Sequence, residues 1–255
     1  MNPIFDAVLA LPTFVIALVL LGGWGAVAFA IHRFLVPRLC GADGKRLGRF
    51  EAEVTSQIAL AFGLLVSFNA VWVWDRGDRV REAVLEEASA LEAVLDEADS
   101  FTGDQAPMRA QAQTLVAAYA KATIETEWPK LSQSAATLDR PAELLELRKF
   151  GVTSTDEVRD AVKRVESARQ IRIREGQLTM PRSRWVIVFL LAVLTLISIG
   201  ALHGDAPRGR ALALTLVSLA IAFCFMVLFV NGRPFIGEYA IQPVALRDVL
   251  ARASR

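Results

Sequence analysis

Four strongly apolar runs, near residues 12–34, 56–74, 185–202 and 211–230, constrain this chain more than any other feature. Each is close to the roughly 20 apolar residues a helix needs to cross a hydrocarbon core of about 30 Å. Backbone in lipid must satisfy its own hydrogen bonds, so the runs are expected to be helices and the chain a polytopic membrane protein. The first run has no Lys or Arg in its leader (Met1–Asp6) and exceeds the usual apolar core of a cleaved signal, so it reads as a retained helix.

The charged residues say where the chain leaves the lipid. Of 28 Lys+Arg and 27 Asp+Glu, residues 75–184 hold 17 and 20, which marks them as a solvated domain. The expected organisation is a transmembrane hairpin at 1–74, a soluble helical domain at 75–184, a second hairpin at 185–230 and a C-terminal tail at 231–255. A net charge of +1 lacks the basic excess of a nucleic-acid binder. Cys40 falls at a membrane boundary and Cys224 inside the fourth run, which speaks against a disulfide, and neither has companions at metal-ligand spacing.

The soluble part reads as helices throughout, because no stretch alternates apolar and polar residues long enough for a strand. Val80, Val84, Ala88, Leu91, Leu95 and Ala98 continue the second run as an amphipathic stripe, so that helix leaves the membrane without a break and ends at a turn around Gly103 and Pro107. A further helix carries Met108, Ala112, Leu115, Tyr119 and Ala122 and is expected to stop at Trp128-Pro129. A loop at 132–141 precedes a short helix closed by Gly151, and Thr153-Ser154-Thr155 caps a long helix running toward Pro181. The fold class is all-α, with the soluble helices inserted between the two hairpins.

From Asp75 to Asp104 there are ten acids against three bases, and from Arg159 to Arg184 eight bases against three acids. The two long helices therefore carry complementary surfaces for antiparallel pairing, and a mutually neutralised bundle accounts for the charge without any ligand. Gly22-Gly23-Trp24-Gly25 in the first run favours close helix packing over a broken helix. Four spans put both termini on one side. Membrane-proximal Lys and Arg number eleven inside if the termini are cytoplasmic, against seven if they are external, which favours cytoplasmic termini and soluble domain.

Enzyme chemistry has little to stand on. His32 and His203 sit at membrane boundaries without a nucleophile or carboxylate partner, and there is no phosphate-loop or dinucleotide glycine pattern, so no cofactor is expected. The second run is richer. Ser56, Gly63, Ser67 and Ala70 form a small-residue face, while Phe62, Val66, Asn69 and Val73 lie on another at spacings of three and four. Asn69 is the deepest strongly polar group in any run and needs either an interhelical partner or a water-filled path.

Several short motifs occur in a telling order: Val73-Trp74-Asp75-Arg76 leading to Glu86-Glu87-Ala88; Ala168-Arg169-Gln170-Ile171-Arg172 before Met180-Pro181-Arg182-Ser183-Arg184-Trp185; and Asn231-Gly232-Arg233-Pro234-Phe235-Ile236-Gly237-Glu238. Over roughly residues 12–249 this set resembles the bestrophin-like family of bacterial membrane proteins, with Glu87, Arg169, Arg172, Pro181, Trp185, Pro234, Phe235 and Gly237 as its motif residues. The resemblance implies relation to bestrophins, which are pentameric anion channels with cytosolic termini. It therefore implies a homo-oligomeric, pentameric channel in the bacterial cytoplasmic (inner) membrane. Its partners would be other copies of the chain, lipid and a permeant inorganic ion, with no nucleic acid. The second span would line the pore, with Phe62 and Val66 as the apolar constriction and Asn69 and Val73 further along. Only Glu238 and Asp248 follow the last span, too few oxygen ligands for a calcium clasp. The competing reading is a membrane-anchored signalling or scaffold protein whose helical domain binds a protein partner.

Overall fold

The computed structural model describes residues 11–41, 51–131 and 138–255. The leader, the basic loop at 42–50 and most of the loop at 132–141 lie outside the described residues. All regular structure among the described residues is helical, and four helices are long and apolar enough to cross a membrane. We number the helices α1 (Thr13–Cys40), α2 (Ala52–Asp99), α3 (Ala106–Ala122, continuing through Thr123–Glu127 to Trp128–Leu131), α4 (Ala142–Thr153), α5 (Asp156–Gln177), α6 (Arg182–Leu202), α7 (Pro207–Val230) and α8 (Val244–Ala253). The expected unbroken second helix is present, 48 residues long.

Two helices run further than their prolines suggest. The first span does not end near Phe34 but reaches Cys40, past Pro37. The helix expected to stop at Trp128-Pro129 reaches Leu131. In both, a five-residue π-helical turn, Ile31–Leu35 and Thr123–Glu127, ends two residues before the proline. A proline ring clashes with the carbonyl four residues back and cannot donate to it, and the wider π turn accommodates the ring without breaking the helix. Gly151 likewise does not close α4, which continues to Thr153. A Cβ at Gly151 would lie 3.2 Å from Val162 Cγ2, so the glycine instead lets α4 approach α5 closely. Thr155 caps α5 as expected, its hydroxyl accepting from the Val158 N–H at 3.3 Å.

The chain divides into two compact units. The membrane unit contains the helices up to Trp74 together with Thr179–Gly232. Its core holds Trp24, Ile31, Val36, Phe62, Val66, Val73, Leu196, Leu214 and Phe225. Trp24 packs at a tilt against both Phe189 and Phe225, with ring centroids 4.8 and 5.0 Å away, and so ties α1 to α6 and α7. A Cβ at Gly200 would fall 2.7 Å from Val36 Cγ2, so that glycine permits α6 to meet α1. Gly22, Gly23 and Gly25 do not do the same: α1 is unbroken there, and a Cβ at each would meet nothing within 4 Å.

The soluble unit comprises Asp75–Leu178 and Arg233–Arg255. The last residues are therefore not a detached tail. Leu246, Val249 and Ala253 of α8 join Leu91, Leu95, Val116, Tyr119, Leu147, Val162 and Val165 in one core.

Candidate functional site

The soluble unit buries four charges at its centre. Glu87 of α2 and Arg172 of α5 are fully buried, and Glu127 of α3 and Arg169 of α5 are nearly so. Arg172 grips Glu87 with two bonds, Nε to Oε2 at 2.6 Å and Nη2 to Oε1 at 3.0 Å, and Nη2 also donates to Glu127 Oε2 at 3.0 Å. Arg169 donates from Nε to Glu127 Oε1 at 2.9 Å, from Nη2 to the same oxygen, and from Nη2 to the Asp139 carbonyl at 2.9 Å. The Tyr119 hydroxyl donates to Glu87 Oε1 at 2.5 Å. Two guanidinium groups and two carboxylates make the cluster neutral, the condition under which charge is tolerated in a dry core.

Burial would pull the Arg172 pKa down, but the charge and hydrogen bonds of Glu87 overcome it and hold the guanidinium firmly protonated. Burial, reinforced by the Glu87 charge, pushes the Tyr119 phenol well above its ordinary value. The remaining Arg172 nitrogen, Nη1, has no hydrogen-bond acceptor among the described residues. The Arg172 guanidinium carbon lies 5.3 Å from the centre of the Trp128 ring, whose π face offers a partial substitute.

Trp128 carries the contact onward. Its indole N–H donates to the Ile241 carbonyl at 3.3 Å and its ring meets Phe235 edge-on, centroids 5.3 Å apart. Phe235 fills the space over Gly176, where a Cβ would lie only 3.0 Å from Phe235 Cδ2 and closer still to Cε2. The segment that delivers Phe235 is shaped by Gly237, at φ 94°, and by the Pro234 carbonyl, which accepts the Ile241 N–H at 2.8 Å. Nearby, Arg76 is buried, and burial followed by the charge of Arg233 lowers its pKa to about 10.

In the membrane unit, the predicted constriction residues face inward. Phe62, Val66, Asn69 and Val73 are all under 9% exposed in the single chain. Asn69 turns its amide back on its own helix, donating to the Leu65 carbonyl at 2.7 Å. The small-residue face divides: Ala70 is buried, while Ser56, Gly63 and Ser67 are exposed beside Leu60, Leu64, Phe68 and Val71. Both serine hydroxyls donate one turn back, to the Ala52 carbonyl at 3.0 Å and the Gly63 carbonyl at 2.9 Å. Pro181 precedes α6 as its N-cap, and Trp185 packs at a tilt against Phe229 with centroids 4.8 Å apart.

Glu87 and, some 85 residues on, the motif pair Arg169 and Arg172 therefore meet in one cluster, and Pro234, Phe235 and Gly237 build the segment that abuts Trp128. Sequence reading missed Tyr119, Glu127, Trp128 and Gly176 as members. The only available signals were a glutamate two residues before a proline and a glycine in the last turn of a long helix. No curated protein and no solved structure shows significant similarity to the chain. The family model of the bestrophin-like domain matches residues 23–246, which takes in most of the first span, the other three spans and the whole buried cluster. The chain belongs to the bestrophin-like family.

Proposed function

We propose that this chain is the protomer of a homo-oligomeric ion channel in the bacterial inner membrane, pentameric and anion-conducting by analogy with the bestrophins. The observation that carries the reading is the 48-residue helix α2, whose membrane part buries one face in the protomer and leaves the opposite face uncovered. Four packed helices enclose no ion path, so a pore has to form between copies, around a shared axis. The outward face with Ser56, Gly63 and Ser67 is the part of α2 available to that axis. Phe62, Val66, Asn69 and Val73 keep the helix in place. Small side chains leave width, and hydroxyls can turn from their back-bonds toward a passing ion. Termini and soluble unit lie in the cytoplasm on the balance of membrane-proximal arginines.

Recording from purified protein in planar bilayers tests the proposal, with native mass spectrometry in detergent alongside it. Discrete currents with a reversal potential that follows chloride, from a particle of five copies, are expected. Bilayers that stay at the lipid background while the protein is folded and oligomeric would favour a scaffold role instead.

A further inference from the structure

We propose that His32 of α1 and Arg210 of α7 form a proton-sensitive latch, closed while the imidazole is neutral and opened when it takes up a proton, which frees the last turns of α1 from the turn between α6 and α7. Arg210 is buried in the membrane unit, yet both acceptors of its guanidinium are neutral groups: Nε donates to His32 Nδ1 at 3.2 Å, and Nη1 to the Gly204 carbonyl at 3.2 Å. An imidazole nitrogen accepts only through its lone pair, so this bond requires an unprotonated Nδ1, with the ring proton on Nε2. A second proton turns the acceptor into a donor and sets a cation against a buried guanidinium that keeps its own charge.

The surroundings do not offset that second charge. The charges that act on the imidazole, Arg210 and the exposed Arg33 beside it on α1, are both positive. The helices packed against the π turn that carries His32 are α6 and α7. At this end α6 brings His203, its C-cap, with Nδ1 3.1 Å from the Ile199 carbonyl oxygen, and α7 brings the exposed Arg208 besides Arg210. The start of α2 is at the same end, where the Thr55 hydroxyl donates to the Ser198 carbonyl at 3.5 Å. The acids here, Asp205 in the turn and Glu51 and Glu53 before and in the first turn of α2, are exposed, and none pairs with His32 or Arg210 among the described residues.

The seam that the latch closes is tight. A Cβ at Gly200 would lie 2.7 Å from Val36 Cγ2, and one at Gly204 would lie 3.1 Å from Cys40 Sγ, so the segment beyond the π turn rests directly on the end of α6 and the turn after it. Gly204 thus both accepts from Arg210 and seats Cys40, which is 1% exposed. Repulsion between His32 and Arg210 therefore loosens the seat of Cys40. In the orientation proposed above this end of the bundle faces the periplasm, but the latch does not need the channel reading, and its failure would leave that reading untouched.

The full chain carrying Cys224→Ala keeps Cys40 as its one thiol and so reports on the seam. The rate at which 4,4′-dithiodipyridine labels Cys40, divided by its rate with free cysteine at the same pH, should rise about tenfold or more as pH falls through the histidine range. In His32→Gln, whose amide oxygen can accept from Arg210 at every pH, the ratio should stay low and flat. In His32→Arg it should stay high and flat, and His203→Gln should keep the parent's rise. A flat parent profile, a rise that survives His32→Gln, or a rise abolished by His203→Gln would each overturn the latch. Arg210→Gln tests it independently, even where His32→Gln does not fold: with no guanidinium opposite the imidazole the rise should vanish, and its survival there would overturn the proposal.

Discussion

Arg172 and Glu87, 85 residues apart in the chain, form a two-bond ion pair with neither side chain exposed to solvent. Removing one member strands the other charge in the core, at a cost of about 3–5 kcal/mol. Arg172→Ala or Glu87→Ala should therefore lower the unfolding midpoint followed by circular dichroism in detergent. Arg172→Lys should recover little, because a single ammonium cannot reproduce the forked geometry that also reaches Glu127. A lysine variant as stable as the parent would show that charge alone suffices.

Gly176 and Phe235 compete for one volume. Gly176→Ala should cost about 1–3 kcal/mol through overpacking. Phe235→Leu on its own should cost less than a full truncation, and the two changes together should lose less than their sum. Additive losses in that double-mutant cycle would mean the residues do not share the site.

The two faces of α2 should respond differently. Phe62→Ala leaves a cavity in the membrane core and should destabilise by about 3–5 kcal/mol without raising conductance. Gly63→Leu and Ser67→Leu add bulk on the exposed face, so they should leave stability nearly unchanged and reduce single-channel current. Raised conductance from a normally assembled Phe62→Ala variant would return the constriction to the inward face.

Tyr119 predicts an alkaline weakness. Its phenol titrates well above the ordinary value when folded, because of burial and the Glu87 charge, and near 10 when unfolded. The contribution is complete below about pH 10. It is lost as pH rises from there toward the folded value, at about 1.4 kcal/mol per pH unit, because the unfolded chain releases the proton first. Denaturant unfolding between pH 8 and 11 should show this slope in the parent and not in Tyr119→Phe, so that the difference between the two curves carries it.

What the sequence alone determined follows from local chemistry and solvent. Twenty-residue apolar runs must be helices in lipid. The amphipathic stripe from Val80 to Ala98 must continue the second one, a cap within Thr153-Ser154-Thr155 starts α5, and the ordered motifs disclosed the family. These are short-range or one-dimensional signals. Tertiary structure alone decided what depends on distant residues meeting. A proline marks a helix end only if nothing nearby widens, and the π turns before Pro37 and Pro129 carry both helices onward. The second π turn does so on the helix that supplies Glu127 to the cluster. Nothing in the periodicity of α2 distinguishes a face packed on neighbouring helices from one turned outward. Within the single chain Phe62, Val66, Asn69 and Val73 are buried, because their packing partners come from other spans. The pairing of Glu87 with Arg172, the docking of α8 and the slot that Gly176 leaves for Phe235 are likewise contacts across the fold, invisible until the chain is closed on itself.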